Sequence, residues 1–264
     1  MNDIKQKTIE KREKYKKIET QSERALSVVK SNDLIQNTRY KLGLQEQKII
    51  LYCISKIKPT DTGFSKYEFD LKHLCDICGI DYNGKNYQNF KSNIKKLSDN
   101  SFWLSLNGDD ILCRWVVKAK ITRNETKVEI TLDETLMPYL LQLKNNFTQY
   151  ELQNVLLMKS KYSVRLYEIL KSQAYKNKVR IPLVALKQLL NTAEYKVYQN
   201  FKVRVIQPAI NEINALTDLN IEVIPIKENK TIIALDFIIE EKTLVEKYEI
   251  HNNRLKEFAE RENK

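Results

Sequence analysis

The five residues Tyr87-Gln88-Asn89-Phe90-Lys91 recur as Tyr198-Gln199-Asn200-Phe201-Lys202. A five-residue match can arise by chance, but here the neighbourhoods match too. Phe69, Leu71 and Leu74 precede the first copy, and Ile181, Leu183 and Leu186 precede the second at almost the same offset. A unit spelled twice must bury its apolar side twice, so the chain is restricted to two related halves. The competing arrangement is a coincidental pentapeptide inside one α+β domain.

The order of elements can be read from hydrophobic periodicity. "LSVVKS", from Leu26, reads as a short strand, and residues 44–57 as a helix stopped by Pro59. "FDLKHLCDICGI" reads as a short helix closed by Gly79, and "YQNFKSNIKKLSDN" as a second helix. "SFWLSL", a turn at residues 107–110, "ILCRWVVKAKI" and "KVEITL" form a β-hairpin or a three-stranded sheet. After Pro138 the pattern restarts. "LQNVLLMKSKYSVRLYEILKSQAY" is predicted as one long amphipathic helix, then come "VRIPLVALKQLL", the helix "VYQNFKVRVIQPAINEINAL" and a hairpin turning near Asn229. Each half therefore reads helix, short helix, polar-faced helix, hairpin, which is the winged-helix variant of helix-turn-helix. The expected fold class is α+β, tandem winged-helix domains related by an internal pseudo-repeat. The expected divisions are a basic arm or helix over 1–25, a first domain over 26–138, a second over 139–240 and a charged helix over 241–264.

The third helix of the second half has two unlike faces. At about 100° per residue, Phe201, Val205, Ile206, Ala209, Ile213 and Leu216 share the core side. Asn200, Arg204, Gln207, Asn211 and Asn214 share the other side, and the helix's one acid, Glu212, lies off it. A face that merely meets water usually carries Glu and Lys. Amides and arginine instead match the donor–acceptor patterns of adenine and guanine in the major groove. Lys196 and Lys202 flank the helix start, where phosphates are expected. The equivalent first-half helix offers Asn89, Asn93 and Lys96, with Lys91 and Lys95 beside them. An ordinary solvated polar face is the alternative for both. Pro208 should kink or locally unwind its helix.

Charge points the same way. Lys and Arg number 45 against 34 Asp and Glu, a net charge of +11, which favours an acidic polymer such as nucleic acid as partner. Residues 151–217 hold eleven Lys or Arg against four Asp or Glu. Lys161 and Arg165 are expected on DNA, and Lys171 is expected to weaken binding to all sequences alike when removed.

Rival chemistries find little support. Gly79, Gly84 and Lys85 fit phosphate-loop spacing, and Asp236 ends an apolar run, but Asn86 stands where Ser or Thr would hold magnesium. Such a loop must also follow a buried strand, whereas "LKHLCDIC" looks helical. Cys75 and Cys78 form a lone pair without the second pair a zinc site needs. His73 and His251 are isolated, so a metal-dependent nicking site with paired histidines is not spelled out. Neither catalysis, nor a cofactor, nor a metal is expected. No apolar run approaches the roughly 20 residues that span a bilayer, the N-terminal residues lack a secretory apolar core, and the four cysteines suit reduced thiols in a cytoplasm.

At "KSKYSVRLYEILKS" (159–172) and "FKVRVIQPAINEINALTDLNIEVIPIK" (201–227) the sequence closely resembles the iteron-binding plasmid replication initiators, Rep proteins with two winged-helix domains. "VVKSNDLIQNTRYKLGLQEQKIILYCISKI" (28–57) resembles their N-terminal domain more loosely, and the likeness runs from about Val28 to Phe237. The resemblance implies that the second domain grips each double-stranded DNA repeat through the helix holding Lys202 and Arg204. It implies that the first domain contacts the adjoining part and dimerises. It further implies a monomer that helps open origin DNA and recruits the host initiator and replicative helicase, and a homodimer that represses its own promoter. A winged-helix repressor with no origin role, and a phosphate-loop ATPase, are the alternatives. The segments 1–25 and beyond Glu240 lie outside the likeness.

Overall fold

Two small sheets of identical topology organise the chain. The computed structural model describes residues 14–15, 18–79, 84–106, 108–122 and 127–262. Residues 14–15 and 18–24 are helical, and the part of the expected arm before Lys14 and residues 16–17 lie outside the described residues. Strand β1 (Ser27–Ser31) leads into α1 (Asn32–Gln36), whose first turn is capped by the Ser31 hydroxyl accepting from the Leu34 N–H. In α2 (Leu44–Ser55) the Glu46 carboxylate reaches back to the Gly43 N–H at 2.6 Å, and every residue from Glu46 to Ser55 is buried.

Strand β2 (Tyr67–Asp70) hands over directly to α3 (Leu71–Cys78), with Asp70 capping the His73 N–H. The helix stops at Gly79, whose φ of 64° is the left-handed cap conformation that glycine adopts without steric cost. Helix α4 (Gly84–Asp99), the hairpin β3 (Ser101–Leu106) and β4 (Asp109–Arg114), and the hairpin β5 (Val116–Thr122) and β6 (Lys127–Leu132) complete the first unit. Its main sheet has the order β2-β6-β5.

The short helix α5 (Met137–Leu140) carries Pro138 in its first turn, where a missing N–H costs no helical hydrogen bond. Strand β7 (Phe147–Glu151) follows and pairs antiparallel with β1, which the sequence reading did not anticipate. That pairing crosses the expected division at 138/139. The single long helix expected beyond it is corrected. It consists of α6 (Gln153–Leu156), a break, and α7 (Lys161–Lys171). The break exists because the N-terminus of α7 is capped twice. The Ser160 hydroxyl accepts from the Tyr162 N–H, and the Glu212 carboxylate accepts from the Lys159 and Ser160 N–H groups at 3.0 and 3.3 Å.

The second unit repeats the plan. Strand β8 (Lys178–Pro182), α8 (Leu183–Leu189), the helix α9, and the hairpin β9 (Leu219–Glu228) and β10 (Thr231–Glu241) give a sheet of order β8-β10-β9. In both sheets the strand preceding the helices pairs with the last strand of the hairpin. Phe90 and Phe201, the aromatic of each pentapeptide, are both fully buried, while the Gln and Asn beside them face out. The first unit differs by the additional hairpin β3–β4.

Between the units lies α7, buried on every side from Ser163 to Leu170. A charged network sits inside. Glu168 accepts from Lys30 Nζ on β1 and from the Tyr150 hydroxyl on β7, each at 2.8 Å. Burial would push the Glu168 carboxyl up, but Lys30 and Arg165 outweigh it and keep it ionised. Helix α10 (Leu244–Glu262) then crosses back over the first unit. Arg254 donates to Asn154 Oδ1 at 2.7 Å, and the Arg24 guanidinium stacks on the Phe258 ring at 3.8 Å.

Candidate nucleic-acid interface

Helix α9 runs as Tyr198–Phe201, a π turn over Lys202–Ile206, and Gln207–Leu216. The unwinding expected from Pro208 is therefore present, and its cause is local. Proline has no N–H and its ring clashes with the carbonyl four residues back. The ladder widens, so that the Gln207 N–H reaches Lys202 O, five residues earlier. Phe201, Val205, Ile206, Ala209 and Ile213 are buried as the periodicity required, and they anchor the helix on the sheet and α7. Leu216 is only half-buried.

The opposite side is open to solvent. Asn200, Lys202, Arg204, Gln207 and Asn211 are all exposed, as is Lys196 in the approach to the helix. Gln207 Nε2 donates to Asn211 Oδ1 at 3.0 Å, which holds these two amides as a pair one turn apart. Asn214 leaves the expected face. Its Oδ1 accepts from the Ile221 N–H at 2.7 Å and its Nδ2 donates to Ile221 O at 3.0 Å, so it clamps the start of β9. Glu212, off the face as expected, is the capping carboxylate of α7.

Other sequence-derived positions separate into two groups. Lys161 is half-buried, with its ammonium over the Tyr162 ring. Arg165, expected on DNA, is a core residue at 4% exposure. Its guanidinium donates to Ile35 O at 2.6 Å, Thr38 O at 2.8 Å and the Tyr40 hydroxyl at 3.0 Å, and it lies over the Tyr40 ring. Buried guanidinium groups persist where such acceptors surround them, and none of these donors is turned toward solvent. Lys171, expected as a general phosphate contact, is corrected as well. It is bound to Asp218 at 2.7 Å and Glu241 at 2.9 Å.

In the first unit, Asn89, Lys91, Lys95 and Lys96 are exposed on α4 and Asn93 is half-buried. Their charges are partly engaged: Lys95 pairs with Asp99 one turn on, Lys96 with Glu46 at 3.6 Å, and Lys91 lies over the Tyr87 ring. The second helix thus presents a freer cationic face than the first. The tip of the β9–β10 hairpin adds exposed Lys227 and Lys230. Asn229 and Lys230 there adopt φ of 45° and 70°, the turn that joins twisted strands most tightly. Sequence reading placed that turn without weighing its lysines, although a cation pair at a wing tip is itself a legible signal.

The rival motifs take other roles. Gly79 ends a helix rather than following a buried strand, residues 80–83 lie outside the described residues, and Lys85 sits in the first turn of α4. Asp236 is neutralised by Arg180, which donates to both carboxylate oxygens at 2.6 and 3.0 Å, and by Lys178 at 3.1 Å. Those two cations hold its carboxyl at about 2. Cys75 and Cys78 are buried on α3, and burial pushes both thiols up to about 12, away from the thiolate a metal would need.

The sequence profile of the Initiator Replication protein, WH1, matches residues 27–171, and that of the Initiator Rep protein, WH2, matches residues 183–239. The chain belongs to the replication initiator family. The first match runs through β7 and α7 of this initiator, and the second takes in α8, α9 and most of the β9–β10 hairpin. The initiator is 26% identical over 245 residues to a replication initiation protein of Escherichia coli, spanning 88% of this chain and 75% of that one. Its fold is similar to that of the Pi initiator protein, crystallised in complex with iteron DNA, with a TM-score of 0.69 at 18% identity over 83% of this chain and 99% of the other. Tandem winged-helix architecture is thereby shared across wide sequence divergence. Among the described residues, no helix is long and apolar enough to cross a membrane.

Proposed function

We propose that this initiator binds direct repeats in double-stranded origin DNA, with α9 in the major groove and the β9–β10 tip on the adjoining backbone. The observation that carries the reading is the outward face of α9, where Asn200, Arg204, Gln207 and Asn211 stand exposed beside Lys196 and Lys202. Phosphate neutralisation supplies most of the affinity, and the amide-and-arginine face supplies discrimination. Asn89, Lys91, Asn93, Lys95 and Lys96 on α4 contact the neighbouring part of the repeat through the first unit. The likeness to the Pi initiator, whose crystal form contains iteron DNA, supports the choice of repeats as the target.

The same reading extends to the cell. The monomer helps open the origin and recruits the host initiator and the replicative helicase, and the homodimer represses its own promoter. The protein does this in the bacterial cytoplasm, by binding rather than by catalysis and with no cofactor.

Footprinting across the DNA upstream of the gene tests the reading. Protection of several short direct repeats is expected. Protection of one inverted repeat alone would make the protein a repressor without an origin role, and no protection would refute the proposal. Arg204→Ala should cost about 1–3 kcal/mol on the protected repeat and relax preference at one base pair. An unchanged base preference in binding titrations would remove Arg204 from the reading surface.

A further inference from the structure

Val203 stands on the same outward side of α9 as Asn200, Arg204 and Gln207, and it is 56% exposed. An isolated exposed valine is ordinary on a protein surface. Its place is what sets this one apart. Every other exposed side chain from Gln199 to Asn211 is polar or charged, and a β-branched residue in a solvent-facing turn is a poorer helix former than Ala, Lys or Gln. Among the described residues, nothing covers its outward side.

Val203 also lies within the π turn, whose neighbours Phe201, Val205 and Ile206 are buried. The backbone beneath it is therefore fixed from three sides. A valine side chain has one rotatable bond, and in a helix it occupies essentially one rotamer. A rigid pair of methyl groups is thus presented between an amide and a guanidinium. The only apolar group on the base edges of the major groove is the thymine C5-methyl.

We propose that Val203 reads a thymine methyl in the bound repeat, making the specificity of α9 part apolar; this inference rests on the reading of α9 given under Proposed function. Arg204 and the amides select by hydrogen bonds, whereas Val203 selects by excluding water from a methyl–methyl contact. Cytosine at that position would offer no methyl, and uracil would offer thymine's hydrogen-bonding edge without the apolar group.

The test uses the full chain and the repeat recovered by footprinting, as duplexes in which each thymine is replaced by uracil in turn. Binding is followed by fluorescence anisotropy at fixed salt. Wild-type protein is expected to lose about three- to tenfold in affinity at one uracil position, the scale of one buried methyl contact. Val203→Ala should lose a similar factor on the unmodified repeat and should be indifferent to that same uracil. Val203→Ile should keep the uracil sensitivity. Alanine favours helix, so the variant is expected to retain wild-type circular dichroism, which is checked directly. Full wild-type affinity of Val203→Ala, or equal sensitivity of both proteins to every uracil, overturns the proposal while repeat binding stands. Failure of the wild-type protein to prefer the repeat over random duplex overturns the underlying reading and this inference with it.

Discussion

Replacing Arg165 with methionine separates two roles that a cation in this region can have. The side chain keeps its length and apolar contacts but loses three donor interactions, to Ile35 O, Thr38 O and the Tyr40 hydroxyl. Two buried carbonyls lose these donors. Glu168 keeps Lys30 at 2.8 Å but loses the second cation, 3.9 Å away. Removing one partner from a buried ionic network typically costs about 3–5 kcal/mol, and each unpaired buried polar group about 1–3 kcal/mol within that total. The melting temperature should accordingly fall by on the order of 10 °C. Urea and thermal denaturation followed by circular dichroism measure the loss. DNA titrations over a series of salt concentrations, run at a temperature where the variant is folded, should show the wild-type salt slope. A variant as stable as wild type, with a salt slope shallower by about one unit, would refute the argument, because it would mean that the guanidinium meets a phosphate.

Two further outcomes follow from charges that the fold holds inside. Lys171→Ala should destabilise the protein by about 1–3 kcal/mol, since Asp218 is left without its cation, while base preference in binding titrations stays the same. Glu23 is held by His73 Nε2 at 2.6 Å, Tyr52 at 2.7 Å and Lys56. Burial would raise its carboxyl, but these partners prevail and bring it from 4.5 to about 2. The stabilisation it gives is present above about pH 4.5 and is lost as pH falls toward 2. His73, raised by the same bond, adds stability below its ordinary value of 6.5 that fades as pH rises past its folded value. Glu23→Gln should flatten both parts of the stability profile measured by urea titration across pH, and an unaltered profile would contradict the pairing.

Much of this architecture is legible because single residues carry it. Gly79 marks the end of α3, Pro208 the disturbance of α9, and the two copies of the pentapeptide the twofold plan with its paired buried phenylalanines. What escaped notice depends on partners remote in sequence. Strand β7 is five residues of mixed polarity, and its reason to be extended is β1, more than a hundred positions earlier. The break before α7 depends on Glu212, and a carboxylate capping a distant helix looks like any surface acid in the sequence. Arg165 was countable as charge but not as buried charge. Its neighbours did hold a clue. Val164, Leu166, Tyr167, Ile169 and Leu170 surround α7 with apolar groups, and a helix apolar all round must be buried, with any Arg and Glu it carries paired inside. On α9 the amphipathic split was clear enough to place the outward residues correctly, except Asn214, which β9 claims.

The crossing of α10 over the first unit has a consequence for how the protein comes into being. Translation delivers the first unit early, yet Asn154 and Arg24 receive Arg254 and Phe258 only after most of the remaining chain has emerged. Until then, the surface that α10 covers faces solvent as an open seam available to chaperones and proteases. In the finished molecule, long-range closure by one helix makes that seam the natural place for the structure to loosen first, so hydrogen exchange should enter there before it reaches either sheet.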